Sequence, residues 1–139
     1  MRKIGVLVSG RGSNLQAIMD RIADGYLPLE IAVVISDKSD AYALERAHKA
    51  GIKTVAVERK ACASKDDFEA KITAALEENG CELVVLAGFM RILSSGFVNK
   101  WHHKIINIHP ALRYAPAREF YRPMYLQYHR PAPAQPFAE

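Results

Sequence analysis

Cysteine is scarce in this 139-residue chain, which holds only Cys62 and Cys81. They form no Cys-x-x-Cys pair, which excludes a disulfide-stapled scaffold and a zinc ribbon and leaves two reduced thiols as the expectation. Long apolar runs are also missing. Nothing approaches the roughly 20 residues that cross a bilayer. The opening "MRKIGVLVSG" has an apolar run too short for a secretory signal, and "RGSN" stands where a small-residue cleavage site belongs. Strong charge of one sign is absent as well. The net charge is +4, and Arg113, Arg118, Arg122 and Arg130 against Glu119 and Glu139 account for two of those four charges. The remainder gives no clustered cationic face for nucleic acid. The expectation is a soluble, cytoplasmic protein with no nucleic-acid or membrane partner. Half of its residues are hydrophobic, enough for one domain with a real core.

Other absences divide the chain. No aspartate follows Asp67, no glycine follows Gly96 and no lysine follows Lys104. Five of the seven prolines and four of the six tyrosines lie in the last 27 residues. Such a composition, without any period, argues against a packed element. We therefore divide the chain into an ordered unit over 1–112 and a divergent Pro/Tyr-rich tail over 113–139. No internal repeat is visible.

Within 1–112, apolar runs alternate with helical patterns. Strands are expected at 4–9, 29–37, 53–57, 82–88 and 104–109. Helices are expected at 13–25, 40–51, 64–80 and 95–100, with Asp40 and Ser64 as N-caps and Gly25, Gly51 and Gly80 as stops. Strand–helix alternation of this kind means parallel βαβ units with right-handed crossovers. Near-continuous apolar strands suit a sheet covered on both faces. The fold class is therefore α/β, a mostly parallel, Rossmann-like sheet.

Ligands of such sheets gather at the carboxyl ends of the strands. Three unusual stretches sit there: "SGRGSN" (9–14), "GFMRIL" (88–93) and "NIHP" (107–110). In the first, Gly10 and Gly12 allow a close backbone approach, Ser13 and Asn14 are cap candidates, and Arg11 adds charge. The helix they open can seat a phosphate. The same glycines equally serve a tight turn, and the pattern is neither a full Gly-x-Gly-x-x-Gly nor a P-loop. In the second, Phe89, Met90, Ile92 and Leu93 can line a slot for a flat ring or can simply be core, with Arg91 pointing to water. In the third, Asn107 and His109 stand two apart on a strand, so their side chains leave one face. An amide can donate to a developing oxyanion, and an imidazole can move a proton near neutral pH. The alternative is a partly buried structural pair. His102 and His103 complete no metal-ligand spacing, and as neighbours their side chains are expected to diverge. Cys62 has basic neighbours but no partner histidine in the sequence.

Together, "VSGRGSNLQAI", "VVLAGFMRILS" and "NIHPAL", in this order, resemble the phosphoribosylglycinamide formyltransferase family. The resemblance covers residues 1–112. It implies transfer of a formyl group from 10-formyltetrahydrofolate to the amine of glycinamide ribonucleotide in purine synthesis, with no metal. By position, Arg11, Gly12, Ser13 and Asn14 would hold the substrate. Lys65, Phe89, Met90, Arg91, Ile92, Leu93 and Asn107 would border the folate, and Asn107 and His109 would serve the formyl group. A formyltetrahydrofolate hydrolase, another folate-dependent formyltransferase and a catalytically dead phosphate-binding remnant are the alternatives. A generic dinucleotide-binding domain is a weaker one, with Asp37 as its only acidic candidate.

The likeness stops at Arg113. The family continues through Leu-Pro and Pro-Gly to a further His and a catalytic Asp, whereas this chain reads "RYAPAREFYRP". The expectation is a C-terminally truncated sheet with weak or no transfer activity. The tail reads as foreign sequence, of the kind a shifted reading frame produces.

Overall fold

The computed structural model describes residues 1–108. His109 and the tail over 113–139 lie outside the described residues. Five strands, β1 (Arg2–Val8), β2 (Leu29–Ser36), β3 (Thr54–Ala56), β4 (Leu83–Ala87) and β5 (Ile105–Ile108), form one sheet in the order β3-β2-β1-β4-β5. Every neighbouring pair is parallel. The helices are α1 (Ser13–Ala23), α2 (Tyr42–Lys49), α3 (Lys65–Glu78) and α4 (Ser95–Lys100), with a 3₁₀ turn at Arg59–Ala61. The chain builds outward from β1 to β3, then returns to place β4 on the other side of β1. The order of strands therefore reverses between β1 and β4, where an open α/β sheet leaves its crevice.

The apolar strands are continuous because both faces are covered. Val6, Val8 and Val34 pack with Leu15 and Ile18 of α1 and Ala43 and Ala47 of α2. Leu7, Val33, Ile35 and Leu86 pack on the opposite face with Phe68, Ile72 and Leu76 of α3 and Phe97 of α4. Cys81 packs at the margin of this second layer, and burial pushes its thiol up to about 11. Among the described residues, no helix is long and apolar enough to cross a membrane.

The α4 boundaries match the sequence reading, and Ser64 caps α3 by accepting from the Asp67 N–H at 3.1 Å. Two caps differ. Ala41, not Asp40, is the N-cap of α2, and the Ala43 N–H donates to the Gly10 carbonyl at 3.0 Å. A neighbouring loop thus takes a donor that a capping side chain would otherwise satisfy. At α1, Gly12 is the N-cap, and neither Ser13 nor Asn14 supplies a side-chain cap. The two adjacent histidines also depart from expectation. His103 has φ 65, and its ring centroid lies 3.7 Å from that of His102. The left-handed backbone turns together side chains that an extended chain would separate.

Candidate functional site

The turn from β1 into α1 is held from behind by α2. Arg46 donates through Nε to the Arg11 carbonyl at 2.7 Å and through Nη1 to Gln16 Oε1 at 3.3 Å. Gly12 has φ 82, and a Cβ there would lie 2.7 Å from Cα and Cβ of Ala43. The glycine is therefore required twice, by its dihedral and by the approach of α2. Gly12→Ala is expected to destabilise the fold by about 2–4 kcal/mol through left-handed strain and overpacking. Chemical denaturation measures this, and a change below about 0.5 kcal/mol would contradict it. With no side-chain cap, the first-turn N–H groups of α1 keep the positive end of the helix dipole available to an anion. Arg11 and Ser13 are exposed, and Asn14 is half-buried.

The segment after β4 meets this turn. Gly88 has φ 75, and a Cβ on it would approach Asn14 Nδ2 at 4.0 Å. The Met90 N–H donates to Ser9 Oγ at 2.8 Å. The four apolar residues expected to line a pocket here divide into two groups. Phe89 and Leu93 are in the core beneath the loop, while Met90 and Ile92 are 55% and 53% exposed. Arg91 does not simply point to water. Its Nε donates to Asp37 Oδ2 at 3.0 Å, and its guanidinium lies 5.9 Å from the Phe68 ring centroid. Asp37 is thereby an ion-pair partner, whereas the dinucleotide alternative needed it as a ribose acceptor.

Beyond Asp37, a cleft of about 470 Å³ is bordered by Ser39, Glu58, Arg59, Lys60 and Arg91. The Ser39 N–H and hydroxyl both donate to Glu58 and hold its carboxyl below the usual range. Lys65 is exposed at the first position of α3. It stands one turn before Glu69, which grips Ser94 at the far end of the β4–α4 segment.

Asn107 lies on β5 beside Leu86 of β4, one residue before the end of the strand. Its Nδ2 is buried and has no hydrogen-bond partner among the described residues. A buried amide donor without an acceptor is costly and calls for an explanation, of which a catalytic role is one. Among the described residues, no group of three or more His, Cys, Asp or Glu is placed to hold a metal ion. The structure thus brings the first two stretches and Asn107 of the third to adjacent strand ends on β1, β4 and β5, gives Ser9 and Asp37 roles as hydrogen-bond acceptors for the segment after β4, and adds Glu69, which sequence reasoning missed. Glu69 had a signal, since it interrupts the buried stripe of α3 with a charge.

The chain is similar to known proteins over most of this region. A family model described as formyl transferase matches residues 2–116. Phosphoribosylglycinamide formyltransferase of Haemophilus influenzae is 44% identical over 112 residues, covering 81% of this chain and 53% of that protein. The human trifunctional purine biosynthetic protein adenosine-3 is 44% identical over 110 residues, 79% of this chain and 11% of that protein. The solved structure of phosphoribosylglycinamide formyltransferase from Coxiella burnetii superposes with a TM-score of 0.78 at 40% identity, covering 90% of this chain and 60% of that one. The chain therefore spans about half the length of the bacterial relative and a small part of the trifunctional one.

Proposed function

The chain belongs to the formyl transferase family, and on that premise we propose that it carries the substrate-holding half of a formyl transfer site acting on glycinamide ribonucleotide. The donor is 10-formyltetrahydrofolate, and the setting is the cytoplasm. The observation that carries this reading is the buried Asn107 Nδ2 at the carboxyl end of β5, unpartnered among the described residues, two strands from the uncapped start of α1. Two strand spacings are on the order of 10 Å. A phosphorylated sugar with a short amide arm can reach from one point to the other.

In this reading, Gly12, Ser13 and Asn14 hold the phosphate through the first-turn N–H groups of α1, with Arg11 adding charge. Met90 and Ile92 offer the donor's flat rings an apolar strip, and Lys65 serves its acidic end. The substrate amine attacks the formyl carbon, a new C–N bond forms, and the carbonyl oxygen becomes an oxyanion. Asn107 Nδ2 donates to that oxygen. His109 takes the proton that the amine loses, and the bond to the folate nitrogen breaks as that nitrogen gains a proton. Residues 117–139 lie beyond the family match and contain no aspartate to share the proton traffic. We therefore assign slow transfer to these 139 residues acting alone. Calorimetric titration with glycinamide ribonucleotide tests the reading. Saturable one-to-one binding supports it, and the absence of binding overturns it.

A further inference from the structure

The seven residues from Gly88 to Ser94 have no helix or strand of their own, yet three separate elements hold them with polar side chains. Ser9, just after β1 and 3% exposed, accepts from the Met90 N–H. Asp37, just after β2 and 4% exposed, accepts from Arg91 Nε. Glu69, in α3 and 7% exposed, accepts from the Ser94 N–H through Oε2 at 2.7 Å and from the Ser94 hydroxyl through Oε1 at 2.5 Å. Phe89 and Leu93 already bury this segment against the core. Two buried carboxylates are more than packing needs, because burying a charge costs free energy that its partners only offset. Asp37 Oδ1 is buried with no hydrogen bond among the described residues, which raises that cost further. What the ties add is orientation. They leave Met90 and Ile92 outermost and hold Arg91 to one side, against Asp37 and the Phe68 ring.

We propose that Asp37 and Glu69 are positioning residues for the folate donor: they hold the 88–94 segment so that Met90 and Ile92 form a fixed apolar strip for its flat rings. Asp37 acts through Arg91, and Glu69 acts through Ser94. The inference rests on the formyl-transfer reading above, and it concerns residues that do not touch the ligand. A preorganised loop binds more tightly because less order is lost on association.

Asp37→Asn keeps the shape of the side chain and removes the charge that holds Arg91. We expect faster amide hydrogen exchange across 88–94 and about tenfold weaker binding of tetrahydrofolate, the size usual for coupling between contacting charged residues. Affinity for glycinamide ribonucleotide should not change. In an Arg91→Ala background, Asp37→Asn should have no further effect on tetrahydrofolate binding, a result that general destabilisation cannot produce. Should Asp37→Asn fail to fold, Glu69→Gln carries the same expectation for exchange and for both ligands. Tetrahydrofolate affinity indifferent to these substitutions overturns the positioning role alone, as does an equal loss in the Arg91→Ala background. A parent protein that binds glycinamide ribonucleotide but no tetrahydrofolate overturns the donor reading and the positioning role together.

Discussion

Asn107→Ala is expected to divide the rate of formyl transfer by about 10²–10³ while leaving the affinity for glycinamide ribonucleotide and the fold unchanged. The asymmetry follows from the state of the side chain. Nδ2 is buried without an acceptor among the described residues, so its removal costs no Nδ2 hydrogen bond among those residues and relieves a buried, unsatisfied donor. In the transition state the same atom would face the charge that appears on the formyl oxygen. A donor already in place and shielded from water is worth far more there than in solution. The effect should therefore fall on the chemical step and leave ground-state binding alone. Asn107→Asp should be no faster than alanine, because a carboxylate presents an acceptor to an oxyanion. Single-turnover assays with protein in excess over formyl donor make the ratio measurable even when the parent rate is low. An unchanged rate in Asn107→Ala would remove Asn107 from the reaction, and a large loss of stability would mean that the amide serves the core.

Phe89→Ala and Met90→Ala, adjacent in sequence, should separate cleanly. Phe89 is among the largest fully buried side chains and packs in the layer with α3 and α4. Its truncation leaves a cavity beneath the β4–α4 segment and should cost about 3–5 kcal/mol. Met90 is 55% exposed. Met90→Ala should leave stability within about 0.5 kcal/mol of the parent, with its effect confined to tetrahydrofolate binding. Chemical denaturation and a tetrahydrofolate titration of both variants check the pair. Equal stability losses at the two positions would contradict the division of this loop into buried ends and an exposed middle.

That division marks the limit of what the sequence made legible. The strands and helices could be read because each is a local pattern. An apolar run at β1, β2 and β4, helical spacing of Leu15 and Ile18, and a serine before α3 all report on their own neighbourhood. The convergence of the first two stretches and Asn107 at the strand ends also followed, because parallel alternation dictates it. Residues 88–93 were harder. In a segment without regular geometry no period tells which apolar side chain turns inward, so Phe89 and Met90 looked alike. The ties on this segment were invisible for a different reason. Met90 and Ser9 are 81 residues apart, Arg91 and Asp37 are 54 apart, and Ser94 and Glu69 are 25 apart. Only the strand order β2-β1-β4 brings the first two pairs together. The α2 cap failed similarly, since the Ala43 N–H found its acceptor in Gly10, on another loop.

Amide-resolved NMR during titration with glycinamide ribonucleotide reads out whether the crevice above β1 and β4 holds its phosphate at the start of α1, as proposed. Saturable shifts are expected to begin at the Gly12, Ser13 and Asn14 amides and to extend to Gly88 and the Asn107 side-chain amide, with inorganic phosphate moving only the first three. Shifts confined to residues outside these three segments, or none at saturating ligand, would contradict that placement.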